Sequence, residues 1–403
     1  MRKNLYTNFF TFFCLYIAPM IAINFFTNFI PVFMRQQKFS LSVIGMMHFL
    51  SLPMIVKVFW SPAIDRSCTT VNDYKRWIQL SGITFAILLL VIAFFHYLTN
   101  FYMLVALVFL LFAISTTQTI ATDALATQVF DRKDKSMVNS MHLMGNFGGK
   151  LIGAGVLFMI FKQVGWGNLN SFLALVAIVA LIPLFFNREL TINREHSIAK
   201  QVTWTDIFRF FTQRNGIWKQ IGFLALYHVS MIGTLAMMRP YLVDLKYDTN
   251  QIGVINGIVG TAAGLVASYA GGLIVRKIGR HRSRSLFAVF MVVTALYVFL
   301  ISKYTHPTMF LLCVAVILIG ISYGTSAVVL YTLAMDRVRK GREGTDFSIQ
   351  LIIAQLSGMT AAALSGVIAQ HYGYSLLFLV EFGFACLALF YILTVFRKKE
   401  AND

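Results

Sequence analysis

The amino-acid sequence predicts an all-α integral membrane protein with twelve transmembrane helices arranged as two six-helix bundles. Hydrophobic residues make up 58% of the 403 residues and charged residues only 12%, whereas soluble domains carry about 25% charged residues. The apolar residues form segments of about 20 residues, the length that spans a bilayer as a helix. A longer polar stretch, from Asn187 to Lys219, divides these segments into six and six.

The twelve apolar segments, called spans one to twelve in chain order, alternate with polar connections. Their predicted limits are 9–30, 41–62, 77–97, 101–124, 137–161, 168–187, 218–242, 250–274, 285–302, 307–335, 344–369 and 374–396. The first segment is too long for the apolar part of a secretory signal, so we predict an uncleaved first helix. The predicted domains are residues 1–187 and 218–403, joined by a cytoplasmic linker at 188–217.

The basic residues are strongly biased to one side of the predicted membrane. The chain has a formal net charge of +18, and most of its Lys and Arg residues precede span one, follow an even-numbered span or lie in the central stretch. The opposite loops contain only Arg35, Lys38, Lys162, Lys246 and Lys303. Because Lys and Arg accumulate in cytoplasmic loops, we predict that both termini are cytoplasmic. This pattern accounts for the charge without a nucleic-acid partner.

The end of span two is typical of a helix that meets the cytoplasm. Lys57 can extend its ammonium group towards the lipid headgroups, and Trp60 suits the membrane interface. Pro62 interrupts the backbone hydrogen bonding of a helix, so Asp65 and Arg66 are expected to open a hydrated loop.

The two halves of the sequence also resemble each other. Span four ends in Gln118 to Asp123, and span ten ends in Tyr331 to Asp336, with the acid at the same place before a basic loop. Many secondary transporters are built from such internal repeats.

The loops after spans two and eight form a second related pair. The first contains Asp65 and Arg66, and the second runs from Gly272 to Arg282. The second loop is similar to a G-x-x-x-D-R-x-G-R-x-R motif, in which Arg276 replaces the acid and Arg280 keeps its place.

Together, the twelve spans, the six-plus-six division and the two loops resemble the major facilitator superfamily. Within that superfamily, one ordered set is similar to the muropeptide permease and acetyl-CoA transporter group: Pro53, Lys57, Trp60, Pro62, Asp65 and Arg66. Gly344-Thr345 at span eleven and Gly373-Tyr374 at span twelve match the same group. Muropeptide permeases commonly carry two extra spans, so in its length the chain looks more like the single-component siderophore permeases of the rhizobactin and pyochelin type.

The resemblance implies a secondary transporter of a bacterial inner membrane, in which two bundles rock around a central site. The implied solute is siderophore-like or muropeptide-like, with siderophore ranked first on chain length alone. The charged residues expected to control opening of the transport path are Lys57, Asp65, Arg66, Arg276, Arg280 and Asp336.

Span five carries a row of polar residues that we predict to contact solute. His142, Asn146 and Lys150 are spaced by four residues and therefore lie on one face of a helix. Ionisable groups inside a bilayer are costly, which makes function the first hypothesis. The alternative is that Lys150 pairs with a carboxylate or with backbone carbonyls between helices. Glycines at 145, 149 and 153 predict a close approach to another helix.

Span one carries a second row, which consists of Tyr16, Met20, Asn24 and Asn28. The two asparagine amides can donate and accept hydrogen bonds, so they are predicted solute ligands. A structural hydrogen bond between helices is the alternative.

The second half offers three further predicted solute ligands. Arg239 lies near the outer end of span seven, where its guanidinium group could bind a carboxylate or phosphate. It could equally extend towards the outer headgroups. Tyr331 and Gln355 could line the opposite wall of a cavity.

Two acids are candidates for coupling transport to protons. Glu381 is inside span twelve, and Asp123 is at the end of span four. A buried carboxyl group can take up and release a proton, which makes both predicted proton-coupling residues. The alternative for Asp123 is an ion pair with a basic loop residue that serves in gating.

We therefore predict a transporter and not an enzyme. No G-x-x-x-x-G-K-[ST] or His-Glu-x-x-His motif occurs, and the four cysteines form no C-x-x-C pair, so neither cofactor nor metal is expected. The predicted function is import of a medium-sized polar or anionic organic solute by a monomer in the lipid bilayer, coupled to protons. An efflux carrier of the same fold remains an alternative, and a membrane-embedded transferase is a weaker one.

Overall fold

The computed structural model describes residues 2–38, 50–95, 101–191, 202–213 and 216–396. All regular elements within these ranges are helices, and ten of the helices are long and apolar enough to cross a membrane. One of the ten, Glu343–Val395, contains spans eleven and twelve, because Gly373 has a φ of 80° and separates two helices. The first part of predicted span two, 41–49, lies outside the described residues.

The helix limits lie close to the predicted spans. In the first half, the helices are Arg2–Gln36 for span one; Leu52–Val56, Lys57–Phe59 and Ser61–Ser67 at the end of span two; Val71–Phe94 for span three; Phe101–Val129 for span four; Lys135–Lys150, Leu151–Leu157 and Phe158–Val164 for span five; and Trp166–Phe186 for span six. The short linker helix is Thr205–Phe211. In the second half, they are Ile217–Leu226 and Val229–Asp244 for span seven; Thr249–Ile252, Gly253–Val259 and Gly260–Ile278 for span eight; Arg280–Ile301 for span nine; Met309–Asp336 for span ten; and Glu343–Val395 for spans eleven and twelve. Leu151–Leu157 and Gly253–Val259 are π-helical.

Three glycines make the tight turns between consecutive spans. Gly165, Gly279 and Gly373 join spans five and six, eight and nine, and eleven and twelve, with φ values of 83°, 85° and 80°. A positive φ is strained for residues with a side chain, so glycine allows each helix to reverse without a longer loop.

The chain forms two compact units. The first contains Met1–Phe208 and Arg337–Ser348, and the second contains Arg209–Asp336 and Ile349–Asp403. The beginning of span eleven therefore belongs to the first unit. The limits 1–187, 188–217 and 218–403 stay a prediction, and residues 192–201 and 214–215 of the linker lie outside the described residues.

In the first unit, spans one and five pack closely along the predicted glycines. An ideal Cβ at Gly145 would lie 2.8 Å from Cβ of Tyr16, and one at Gly149 would lie 2.5 Å from Cβ of Met20. A Cβ at Gly153 would overlap the carbonyl oxygen of Ile21. The contacts advance along both helices in the same order, so the two spans run in parallel.

The second unit contains a similar close approach between spans eight and ten. Gly320 and Gly324 face the carbonyl oxygens of Gly260 and Gly264, which would lie 2.5 and 2.6 Å from their respective ideal Cβ atoms. Small residues at both surfaces allow the two backbones to meet, as they do between spans one and five.

Candidate functional site

The polar row of span one is held in place by its own helix. Nδ2 of Asn24 donates to the carbonyl oxygen of Met20 at 2.8 Å, and Nδ2 of Asn28 donates to that of Asn24 at 2.8 Å. Both side chains are half-buried. An amide has a second N–H and a carbonyl oxygen, so each asparagine retains groups that suit an amide or hydroxyl of a solute.

Span five, which carries the second polar row, packs against span one. The close approach of Gly145 to Tyr16 and of Gly149 to Met20 aligns the two helices at the predicted rows. Along span five the exposure increases from buried His142 through half-buried Asn146 to exposed Lys150. Lys150 immediately precedes the π-helical turns at Leu151–Leu157, a type of distortion often found at functional sites.

A buried polar cluster lies at the His142 end of these rows. The hydroxyl of Tyr16 donates to Oδ1 of Asp123 at 2.8 Å, and Nδ1 of His142 lies 3.2 Å from the same oxygen. The rings of Tyr16 and His142 are stacked, with 4.1 Å between their centroids. Three spans thus contribute one side chain each, a combination that sequence spacing within a single helix does not reveal.

Lys57 also belongs to the interior of the first unit. Its side chain was expected to extend towards the headgroups, but the residue is only 8% exposed. The carboxylate of Asp123 acts electrostatically on its buried ammonium group. An opposite charge offsets part of the cost of burying a lysine.

Asp65 caps the first turn of span eleven. Its Oδ1 accepts a hydrogen bond from the backbone N–H of Gly344 at 2.9 Å, and its Oδ2 accepts from the N–H and the hydroxyl of Thr345 at 2.7 and 2.6 Å. Burial raises the pKa of Asp65 to about 7, although these three hydrogen bonds act in the opposite direction. The neighbouring Arg66 is exposed. The expected hydrated loop at Asp65 and Arg66 is wrong, because both residues lie in the helix Ser61–Ser67 and Asp65 is buried. The sequence indicated a gating role for Asp65 but did not identify this partner.

A second contact in the first unit joins the short linker helix to the residues before span eleven. Nε of Arg342 lies 2.9 Å from Oδ1 of Asp206, and Nη2 of Arg339 donates to the backbone oxygen of Asp206 at 2.8 Å. Arg339 also binds Asp346 at 2.6 Å. From the sequence alone these arginines were interpreted only as loop charges, because Asp206 is far from them in the chain.

In the second unit, two of the predicted gating residues form an ion pair. Nε of Arg280 binds Oδ2 of Asp336, and Nη2 of Arg280 donates to Oδ1 at 3.2 Å. Arg276 is half-buried near the end of span eight. The ion pair joins the start of span nine to the end of span ten.

Glu381 lies deep in the second unit, where spans seven, eleven and twelve meet. It is 3% exposed, and its Oε1 accepts a hydrogen bond from the hydroxyl of Ser365 at 2.6 Å. A Cβ at Gly233 would overlap Oε1, so the carboxyl group packs directly on the backbone of span seven. Oε2 has no hydrogen-bond partner among the described residues.

The other predicted ligands of the second half lie at separate places in that unit. Arg239 is exposed near the end of span seven, Tyr331 is half-buried in span ten, and Gln355 is exposed in span eleven. Buried His228, at the break in span seven, lies 2.9 Å from the hydroxyl of Ser326.

Comparison with known proteins supports the architecture. The family model described as Major Facilitator Superfamily matches residues 9–362. A crystal structure of the human organic anion transporter MFSD10 (TETRAN) superposes with a TM-score of 0.69 at 12% identity, and the match covers 97% of this chain and 99% of that one. Identity this low shows the fold alone. The predicted twelve-helix, two-bundle fold is confirmed.

Two curated bacterial proteins are similar in sequence. An uncharacterized protein of Haemophilus influenzae is 25% identical over 272 residues, which is 66% of this chain and 64% of that protein. The anhydromuropeptide permease of Escherichia coli K12 is 20% identical over 374 residues, which is 92% of this chain and 76% of the permease. The predicted resemblance to the muropeptide permease group is confirmed.

Proposed function

Since this chain belongs to the major facilitator superfamily and is a multi-pass membrane transporter, we propose that it imports a polar or anionic organic solute together with protons. Alternating exposure of a central site to the two sides of the membrane is the mechanism that suits two helical bundles.

One observation supports the proposal: spans one and five, which carry the two predicted polar rows, pack closely in the first unit. The predicted rows supply the amides of Asn24, Asn28 and Asn146 and the ammonium group of Lys150. Polar groups inside a bilayer are retained where they have a role, and amides next to a cation suit a solute with both amide or hydroxyl groups and a carboxylate.

A muropeptide-like solute has this chemistry, since it carries sugar hydroxyls, peptide amides and carboxylates. The name of the Escherichia coli relative supports this class. The chemistry of the polar rows and the name of this relative favour a muropeptide-like solute over a siderophore. Chain length alone had placed siderophores first. Arg239, Tyr331 and Gln355 remain proposed ligands of the second half.

Two contacts are proposed to control opening of the path. The cap from Asp65 joins the short helix Ser61–Ser67 to the start of span eleven, and the ion pair from Arg280 joins the start of span nine to the end of span ten. Arg66 and Arg276 would assist as nearby cations. Breaking either contact exposes charged or hydrogen-bonding groups, so each can hold one conformation until solute binding favours another.

The proposed location is the bacterial inner membrane, with both termini in the cytoplasm and the protein acting as a monomer. The excess of basic residues in the loops on the side of the termini supports this orientation. Glu381 and Asp123 are the proposed proton-coupling residues, because both carboxyl groups are buried within their units.

A thermal-stability assay of the purified protein tests the solute class. A ligand at 100 times its Kd stabilises the native state by about 2.7 kcal/mol, so an anhydromuropeptide is expected to raise the melting temperature more than a ferric siderophore or acyl-CoA. Lys150→Ala should remove the increase, whereas the matched control Lys303→Ala, at another exposed lysine that follows span nine, should retain it. An equal increase in wild type and Lys150→Ala would contradict the assignment of Lys150.

A further inference from the structure

The short linker helix Thr205–Phe211 has two different sides. Asp206, in its first turn, is buried, whereas Trp204 and Phe208 are 57% and 75% exposed. Trp204 lies in the turn where the helix begins, and Phe208 follows it by four residues, so both rings project from the same side of the helix. The helix therefore presents a pair of large aromatic side chains outward.

Asp206 fastens the opposite side of this helix to the residues before span eleven. Nε of Arg342 lies 2.9 Å from Oδ1 of Asp206, and Nη2 of Arg339 donates to the backbone oxygen of Asp206 at 2.8 Å. The second carboxylate oxygen, Oδ2, accepts a hydrogen bond from the backbone N–H of Thr203 at 2.9 Å. Because these contacts hold both the side chain and the backbone of Asp206, the direction of the aromatic side is fixed.

The end of the linker helix lies beside the start of a membrane-spanning helix. The rings of Phe211 and Trp218 are in contact, with 6.3 Å between their centroids. Trp218 is exposed at the start of the helix Ile217–Leu226, the first part of span seven. Tryptophan is enriched at the membrane–water interface. The linker helix is therefore at the level of the lipid headgroups, where a bilayer covers exposed aromatic side chains.

The charges of this part of the chain favour an anionic surface. Residues 188–219 contain six Lys or Arg residues and three acids, and one of the acids is the buried, paired Asp206. Arg209 directly follows Phe208 in the helix and is exposed. Lys and Arg residues near a leaflet are attracted to its anionic headgroups. An anionic phospholipid therefore suits this surface, because its acyl chains cover the rings and its phosphate binds the cation.

The residues that hold the linker helix also adjoin the Asp65 contact. Nη2 of Arg339 donates to the backbone oxygen of Asp206 and to Oδ1 of Asp346, the latter at 2.6 Å. Asp346 directly follows Thr345, whose backbone N–H and hydroxyl bind Asp65. All of these residues belong to the first unit. A chain of polar contacts therefore runs from the linker helix to the turn of span eleven that Asp65 caps.

We propose that the linker helix docks Trp204 and Phe208 into the cytoplasmic leaflet, binds anionic phospholipid headgroups through Arg209, and thereby stabilises the contact between Asp65 and Thr345. Bound lipid keeps the helix in place, and the helix keeps Arg339 and Arg342 beside the start of span eleven. This role of the helix goes beyond the proposed function, since it requires neither the proposed solute nor coupling to protons.

Depth measurements by electron paramagnetic resonance test the docking. A spin label is attached to Thr212→Cys, an exposed position four residues after Phe208, in a background where the four cysteines are serine. In vesicles of equal parts phosphatidylcholine and phosphatidylglycerol, the label should collide more with oxygen and less with a water-soluble nickel complex than in pure phosphatidylcholine. Equal collision ratios in the two lipids would overturn the proposal.

Two variants separate the apolar contribution from the charged one. The double substitution Trp204→Ser and Phe208→Ser should return the label towards water in both lipids, whereas Arg209→Gln should remove the difference between the lipids. Phe94→Ser is the matched control, because Phe94 is an equally exposed ring at the opposite end of span three. It should leave the depth unchanged. A label that stays as deep in the double variant as in wild type would exclude the aromatic pair as the anchor and contradict the proposal.

Maleimide labelling of buried Cys68, with the other three cysteines replaced by serine, tests the link to Asp65. Labelling should be about fivefold slower in the vesicles that contain phosphatidylglycerol, the factor given by about 1 kcal/mol for one cation at an anionic leaflet. A wild-type rate that is the same in both lipids would overturn the link.

Arg342→Ala separates docking from its effect on Asp65, because it removes only the ion pair with Asp206. In this variant the spin label should still enter the anionic bilayer, but the labelling rate of Cys68 should no longer depend on the lipid. Lys133→Ala, at an exposed cation in the loop after span four, is the control and should keep the dependence. A lipid dependence that survives in Arg342→Ala would exclude the route through Arg342.

Discussion

Asp65 accepts two hydrogen bonds from Thr345, one from its backbone N–H at 2.7 Å and one from its hydroxyl at 2.6 Å. The first N–H groups of a helix have no partner within that helix, so a carboxylate placed there satisfies them. The short helix Ser61–Ser67 and the start of span eleven are thereby held together within the first unit. Loss of a side-chain cap typically costs about 1 kcal/mol.

Removal of this cap should open the contact. Cys68 follows Asp65 closely in the chain and is buried, so its labelling by a maleimide reports opening in a background where the other three cysteines are serine. Asp65→Ala should increase the labelling rate about fivefold, as expected for the loss of about 1 kcal/mol. Asp131→Ala, an exposed acid in the loop after span four, is the control. An unchanged rate in Asp65→Ala would remove the proposed gating role.

The same contact should respond to pH. Burial raises the pKa of Asp65 from 3.8 to about 7, so the capped arrangement is fully favoured below about pH 4 and loses stability as the pH rises through 7. Spin labels at the exposed positions Ala63 and Lys340 should therefore show a longer distance at pH 8.5 than at pH 5.5. Asp65→Asn should show the same distance at both pH values. A distance that lengthens on acidification would contradict the sign.

The glycine contact between spans one and five predicts a pair of contrasting substitutions. Gly149→Ala should destabilise the protein by about 1–3 kcal/mol, because the added methyl group would be forced against Met20. Gly155→Ala, six residues further along the same span, adds a methyl group with nothing within 4 Å. Thermal unfolding in detergent should show a lower midpoint for the first variant only. Equal midpoints would mean that the close approach is absent.

The contact between Glu381 and span seven predicts a coupling between two substitutions. Gly233→Ala alone should be destabilising, because its Cβ would overlap the Glu381 carboxyl group. In a Glu381→Ala background the same substitution should cost less, with Ser365 as the remaining neighbour. A double-mutant cycle on thermal stability measures the difference, expected to be about 0.5–3 kcal/mol for residues in contact. If the two substitutions have additive effects on thermal stability, Glu381 does not contact Gly233.

The helical framework could be predicted from the sequence because the length of apolar segments is set by the bilayer itself. The described helices begin and end close to the predicted limits, and the turn at Gly373 separates spans eleven and twelve as expected. Spacing within one helix also identified the polar rows and the glycines of span five. The π-helical turns after Lys150 carry no comparable signal in the sequence.

Contacts between distant spans could not be predicted in this way. Lys57 was expected to extend outward, because the sequence does not show that Asp123 acts on it from another span. Asp123 and Asp336 occupy matching places in the two halves, yet the first binds Tyr16 and the second binds Arg280. Repeats predict position along a helix, whereas the partner depends on which neighbouring helices supply a group.

Proton-driven uptake into liposomes is the decisive experiment for proton-coupled import. The purified protein is reconstituted in liposomes with the interior more alkaline than the outside, and a labelled anhydromuropeptide is added externally. Proton-coupled import should accumulate the solute above its external concentration, and a protonophore should abolish this accumulation. Uptake that only equilibrates across the membrane and does not respond to the protonophore would contradict proton-coupled import.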